Sequence, residues 1–242
     1  MEPPRPLLDV PVDAEGVLVE RPNRFLALVD IDTDRGTLPS ERVHVHDPGR
    51  LHELLYPGNR LLVRRAISEK RSTAWDVIAA RYGEEWVLVH SGLHRALAER
   101  IIGDMALSPF GPIADVHPEV TVGRHRLDFR ITRPDGSVLW LEVKGCTLAE
   151  DGVALFPDAP TVRGRKHLEI LMGLADRGDS AAVMVLVFRP DARSFAPKAD
   201  TDPAFAETFY RALDAGVKVV PIVLGYRGGT IVHLQRIPVR ER

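Results

Sequence analysis

The chain has 242 residues, 45% of them apolar and 27% charged, with a formal net charge of -2. That apolar content can fill one large core or two modest ones, and the near-neutral balance excludes a protein that holds nucleic acid by global basicity, so any such surface must come from local clustering. A single cysteine, Cys146, excludes a disulfide framework and a cysteine zinc cage; with no basic-then-apolar leader and no long apolar run, the expectation is a cytoplasmic protein with no membrane partner.

After a Pro-rich lead-in, Arg24 to Asp32, Arg42 to His46, Asn59 to Ser68 and Ala74 to Arg81 read as short strands, separated by turn-rich stretches such as "DTDRGTLPS" and "DPGR". With a brief helical piece at Arg50 to Leu55 they suit a small five-stranded barrel of the oligonucleotide-binding (OB) kind, although an SH3-like barrel leaves the same trace. The expected first domain is 1–82.

From 83 to 242 the pattern alternates. Strand "WVLV" precedes a helix over Ser91 to Gly103; the strands "EVTVG", "RLDFRIT" and "VLWLEVKG" follow; then come a helix from Gly164, the apolar strand "AAVMVLVF", a helix from Asp202 and the strand "KVVPIVL". Such alternation predicts an α/β sheet with helices on its faces. Asp202 followed by Pro203, with Gly216 at the far end, signals the cap, first turn and stop of the last helix.

The stretch "WLEVKG" (Trp140 to Gly145) carries the chemistry. Residues two apart on a strand share a face, so Glu142 and Lys144 are neighbours. The preceding strand holds Asp128, and the turn decides where it points. A two-residue loop sets Asp128 opposite Leu141, facing away. "PDG" suits a three-residue loop with Gly136 in the left-handed position; Arg133 then pairs with Ser137 and Asp128 falls opposite Glu142. Two carboxylates about 5 Å apart repel, and a divalent cation between them relieves the repulsion. Asp128, Glu142 and the Val143 carbonyl are the expected ligands for Mg²⁺ (or Mn²⁺), and Lys144 is expected to orient a water for attack on a phosphodiester. On spacing alone a solvated hairpin explains the trio more often than a site.

The neighbourhood favours the site. Thr161 or Gly164 opens a helix whose start carries Arg163, Arg165, Lys166 and His167. Cations there oppose the helix dipole, which makes sense if an anion such as a phosphate backbone is expected, although nearby acids also account for it. Within that helix Leu168, Leu171, Met172 and Ala175 form the expected core stripe.

The motifs "RPNRFLALVDID", "VHVHDPGRLHELLYPGN", "PEVTVGRHRLDF", "LEVKGCTL", "FPDAPTVRGRKHLEIL" and "DARSFAPKADTDPAFAETFYRALDAGVKV" span nearly the whole chain in order, and with them the sequence resembles the sugar fermentation stimulation protein (SfsA) family. The resemblance implies an N-terminal OB-fold domain, a PD-(D/E)xK restriction-endonuclease-like domain, and DNA as partner. It places the acidic and lysine positions at Asp128, Glu142 and Lys144, the aspartate of "FPDA" at Asp158, and the basic helix start at Arg163 and His167. Glu119 in "PEVTVG" or Glu99 on the first helix supplies the third acid, with Glu119 ranked first. "HDPG" (His46 to Gly49) stands before Arg50 where many members have "PNTG".

Arg60, Arg64, Arg65, Lys70 and Arg71 make the densest basic stretch of the first domain and, with Arg50, the expected DNA contacts. His44, His46 and His52 read as solvent-facing, and His90 and His94, four apart, as surface or capping residues. Three functions remain open: a Mg²⁺-dependent DNA nuclease, a non-catalytic DNA-binding regulator of sugar metabolism genes, and a hydrolase of a small phosphoester. A homodimer is compatible with all three.

Overall fold

The computed structural model describes residues 3–66 and 71–242; Ile67 and Ser68, at the end of an expected strand, and Lys70 of the basic stretch lie outside the described residues. The chain divides into two units: the first runs to Leu93 and also takes Phe188–Pro190 and Leu224–Leu234, and the second comprises His94–Val187, Asp191–Val223 and Gln235–Arg242. The division after Leu93 lies beyond the 82/83 boundary suggested by the sequence, because the strand containing "WVLV" pairs within the first unit.

In the first unit the strands are β1 (Arg5–Asp9), β2 (Ala14–Asn23), β3 (Leu26–Thr33), β4 (Gly36–His44), β5 (Arg60–Arg65), β6 (Trp75–Tyr82) and β7 (Glu85–Leu88). β2 pairs with β3 and β5, β3 with β4, and β5 with β6, all antiparallel, and β4 closes onto β6 in parallel. The result is a closed five-stranded barrel in the order β2-β3-β4-β6-β5, the OB arrangement. Ala27, Val29, Ile31, Val43, Leu61, Val63, Val77 and Ala79 fill it. Gly16 sits where β2 pairs on both sides, with Ile31 and with Leu61. A Cβ there would lie 2.6 Å from the Asp30 carbonyl, so only glycine lets the strand curl this tightly.

Three expectations are corrected here. β2 falls in what read as lead-in, since Glu20, Pro22 and Asn23 dilute its pattern and only Gly16 and Leu18 of the strand are buried. β4 runs through "GTLPSERVH", read largely as a turn: Ser40 takes a left-handed φ of 51° and donates its N–H to Asp30 Oδ1 at 2.8 Å, so a bulge absorbs the turn-like residues. No helix forms over Arg50 to Leu55; Leu54 and Leu55 both return their N–H groups to Leu51, leaving a single turn.

The second unit begins with α1 (His94–Gly103), followed by β8 (Asp115–Val122), β9 (His125–Thr132), β10 (Val138–Cys146), β11 (Ala149–Glu150), β12 (Val153–Phe156), α2 (Val162–Ala175), β13 (Ser180–Val187), β14 (Ser194–Pro197), α3 (Pro203–Asp214) and β15 (Lys218–Arg227). β15 and β16 (Thr230–Arg236) carry the chain back into the first unit, where β1 pairs with β16. The sheet order β15-β13-β10-β9-β8 is parallel across β15, β13 and β10 and antiparallel from β10 to β8. β13 is buried from Ala181 to Val187, as expected for a parallel strand covered on both faces, which explains its uninterrupted apolar run. β11, β12, β14 and β16 escape the sequence reading; the first three are two to four residues long, too short for a period to register.

α2 starts where the sequence puts it. Thr161 Oγ1 accepts the Gly164 N–H at 3.0 Å. Asp202 caps α3 through Oδ1 and Phe205 N–H (2.9 Å), and its Oδ2 accepts the Thr161 N–H (2.8 Å), so one carboxylate ties the starts of both helices. The buried stripe of α2 is Gly164, His167, Leu168, Leu171 and Leu174, one step round from the expected one. No helix among the described residues is long and apolar enough to cross a membrane.

Candidate active site

The turn between β9 and β10 takes the three-residue form: Arg133 N–H bonds Ser137 O and Gly136 N–H bonds Arg133 O, both at 2.9 Å, with Gly136 at φ 82°. The ladder then pairs Val138 with Thr132, Leu139 with Ile131, Trp140 with Arg130 and Leu141 with Phe129. One step further along this register Asp128 comes opposite Glu142. There the strands part, and the Val143 N–H bonds the Asp128 carboxylate (Oδ2, 2.7 Å) instead of a backbone carbonyl. A strand residue points its N–H and C=O toward the same neighbour, so the Val143 carbonyl is directed to the β9 side as well.

Glu142 is 2% exposed. Its Oε1 receives both Lys144 Nζ and His167 Nδ1, whereas Oε2 is buried with no hydrogen-bond partner. Burial pushes the Glu142 carboxyl up, but His167 and Lys144 together outweigh it and hold it below the ordinary range. Asp128 moves the other way: burial, then the Glu142 charge, raises it despite the bond from Val143.

A buried carboxylate oxygen without a hydrogen-bond partner, on a residue that the register sets opposite Asp128, is costly in the absence of a cation. The donors are hard oxygens of the kind Mg²⁺, Mn²⁺ and Ca²⁺ take. No group of three or more His, Cys, Asp or Glu side chains among the described residues is arranged to hold a metal; two carboxylates suit Mg²⁺, which keeps several of its waters. The donor set therefore fits.

Comparison with known proteins gives the same outline. The family described as "Sugar fermentation stimulation protein RE domain" matches residues 92–228, and "SfsA N-terminal OB domain" matches residues 19–89. The chain belongs to the SfsA family. It is 45% identical over 234 residues to a sugar fermentation stimulation protein homolog of Methanococcoides burtonii, covering 96% of this chain and 94% of that one, and 43% identical to the Thermotoga neapolitana homolog, covering 97% and 98%. The structure of Pyrococcus furiosus SfsA, solved in complex with Ca²⁺, superposes with a TM-score of 0.87 at 28% identity, covering 98% of this chain and 99% of that one. The OB-type barrel and the restriction-endonuclease-like α/β domain are thus the SfsA architecture.

The other residues singled out in this SfsA chain fall into three groups. At the start of α2, Arg163 and Lys166 are exposed, Arg165 is half-buried with its Nε unpartnered, and Lys166 pairs with Glu169 at 2.8 Å. His167 instead turns inward onto Glu142 and is 3% exposed. Its membership of the stripe at Gly164, Leu168 and Leu171 was the available signal, because a histidine on the buried face of a helix needs a polar partner.

Among the acids, Glu119 sits in β8 at the position opposite Asp128, where the ladder skips it. Its φ of 55° turns it outward, and Arg95 (3.4 Å) and Arg126 (3.3 Å) engage its carboxylate. Glu99 is exposed and pairs with Arg95 along α1 at 2.9 Å. Asp158 lies in the loop between β12 and α2.

On the barrel, Arg50 is exposed, Arg60 pairs with Glu15, Arg64 is half-buried, and Arg65 stacks 4.5 Å from the Trp75 ring. Arg71 is committed to the buried Asp76, at 2.6 and 3.1 Å. His52 is exposed, as expected, but the other histidines differ from a surface placement: His46 stacks on His90 (4.0 Å between centroids), His44 meets His46 edge-on (4.3 Å), and His90 is 8% exposed, preceding the helical turn.

Proposed function

We propose that this SfsA-family protein is a cytoplasmic DNA-binding protein whose second unit hydrolyses phosphodiesters with a bound Mg²⁺ or Mn²⁺. The observation that carries the reading is the unpartnered, buried Oε2 of Glu142 opposite Asp128, with the Lys144 ammonium on the same strand face. The Ca²⁺ complex of the Pyrococcus furiosus relative supports it, since Ca²⁺ seeks the same hard oxygen donors.

Asp128, Glu142 and the Val143 carbonyl would hold the cation. When bound, it supplies charge neutralisation at the scissile phosphate and acidifies the attacking water. Lys144 Nζ, anchored on Glu142 Oε1, orients that water and meets the charge developing on the phosphoryl oxygens. Arg163 and Arg165, at the positive end of α2, bind flanking phosphates, and Arg50, Arg60, Arg64 and Arg65 form a separate set of phosphate contacts within the first unit.

The test is incubation of labelled single-stranded, duplex and branched DNA with and without Mg²⁺, beside Glu142→Ala. Cleavage that needs the cation and is lost in the variant is expected. A second reading, a regulator that binds DNA without cutting, draws on one feature: Lys144 already offsets the charge of Glu142, and His167 occupies the same oxygen. It expects equal DNA affinity with EDTA, a steep salt slope and intact substrates on every topology.

A further inference from the structure

His167 and Glu142 are both almost inaccessible, each side chain 3% exposed, and they face one another in the second unit. The imidazole is engaged at both nitrogens: Nδ1 lies on Glu142 Oε1, and Nε2 receives the Arg163 Nε–H at 3.4 Å, one helical turn away. An imidazole that accepts at Nε2 and meets a carboxylate with Nδ1 has its proton on Nδ1. The His125 ring, edge-on at 6.3 Å, packs against it from β9.

The consequence falls on Glu142. His167 and Lys144 both donate to Oε1, and Oε2 is left buried without a partner. Lys144 alone would not achieve this, because an ammonium on a flexible stem follows the carboxylate, whereas a ring locked in a helix imposes a direction. We propose that His167, held in one tautomer by Arg163, is the positioning residue that aims Glu142 Oε2 as a cation ligand. This inference rests on the metal-site reading above, and it gives His167 a role other than touching phosphate.

Partners of this kind contribute about 10–100-fold to the affinity of the metal they orient. The experiment is calorimetric titration of Ca²⁺ into the full chain for wild type, His167→Asn, His167→Gln, His167→Ala, Arg163→Met and Glu142→Ala, with metal-free Tm measured for each. An asparagine amide nitrogen falls where Nδ1 was; a glutamine amide nitrogen falls where Nε2 was.

The expected result is affinity within a few-fold of wild type for His167→Asn and a loss of about 10–100-fold for His167→Gln and His167→Ala. Arg163→Met should be intermediate, and each variant should keep a single cooperative metal-free unfolding transition. Equal affinities for Asn and Gln, or wild-type affinity in the Ala variant, overturn the inference while leaving the metal site standing. No Ca²⁺ uptake by wild type, or uptake unchanged in Glu142→Ala, overturns the site itself and the positioning role with it.

Discussion

Asp128 and Glu142 stand opposite one another across β9 and β10 and are drawn in opposite directions, the first toward holding its proton and the second toward losing it. Burial acts on both, but only Glu142 has His167 and Lys144 to outweigh it. The two carboxyls are therefore electrostatically unequal.

A pH-dependent gain in stability follows. A raised carboxyl pKa in the folded state contributes stability below its ordinary value, and that contribution is lost as pH rises through the shifted value. Ionising Asp128 is therefore a cost that a cation would remove. Ca²⁺ or Mg²⁺ at about 100-fold over Kd should stabilise the protein by about 2.7 kcal/mol, seen as a rise in Tm near neutrality that shrinks as pH falls into the carboxylate range. Asp128→Asn should raise the metal-free Tm and abolish the gain; an unchanged gain in that variant would remove Asp128 from the site.

In the proposed site Lys144 and the cation would share one carboxylate. Lys144→Met should therefore bind Ca²⁺ as tightly as wild type or more tightly, while any DNA cleavage falls by about 100-fold or more. Calorimetry and a gel assay on labelled DNA separate the two effects. Loss of Ca²⁺ binding in Lys144→Met would mean that the ammonium builds the site and does not merely serve it.

Gly145 ends the working stretch of β10 with the His94 ring against it. A Cβ at this position would lie 2.8 Å from His94 Nε2, so Gly145→Ala must displace either the ring or the strand beside Lys144. Overpacking of this kind costs about 1–3 kcal/mol. Urea unfolding should show a lower midpoint at unchanged slope, and a midpoint equal to wild type would show that the ring moves freely.

The stacked histidines should make the first unit acid-sensitive. Burial, with help from His46 and Arg64, pushes His90 from the ordinary 6.5 down to about 4. Between those values the unfolded chain binds a proton that the folded one refuses, so stability is full above 6.5 and falls as pH drops toward 4, by about 3 kcal/mol over the window. His90→Gln should flatten this part of the stability–pH curve, measured by chemical unfolding at stepped pH. An identical slope in the variant would assign the acid sensitivity to other groups.

How much of the site was legible depended on how local its causes were. The register of Asp128 against Glu142 could be read because "PDG" dictates the loop, and one residue's difference there flips every side chain. Thr161 and Asp202 were legible as caps, but the second bond of Asp202, to the start of α2, joins residues 41 apart in sequence and leaves no local trace. His167 was misplaced for the same reason: its neighbours in sequence are cations, and its partner lies 25 residues away. β2 and the first half of β4 were missed because the residues that break their pattern, Pro22 and Ser40, sit at positions where the barrel does not need apolar side chains.

By itself, then, the sequence determined the two-part β then α/β order, the strands and helices with a strong period, the turn that opposes Asp128 and Glu142, and the family resemblance carried by its motifs. Only the tertiary structure decided which barrel closes, since that rests on the single parallel pairing of β4 with β6. The fold also decided that Glu119 is engaged by arginines, that three histidines gather around Asp76, and that one oxygen of Glu142 is left without a partner. These depend on which distant side chains come within about 3 Å of a polar atom, and that is set by the packing of whole elements rather than by any stretch of chain.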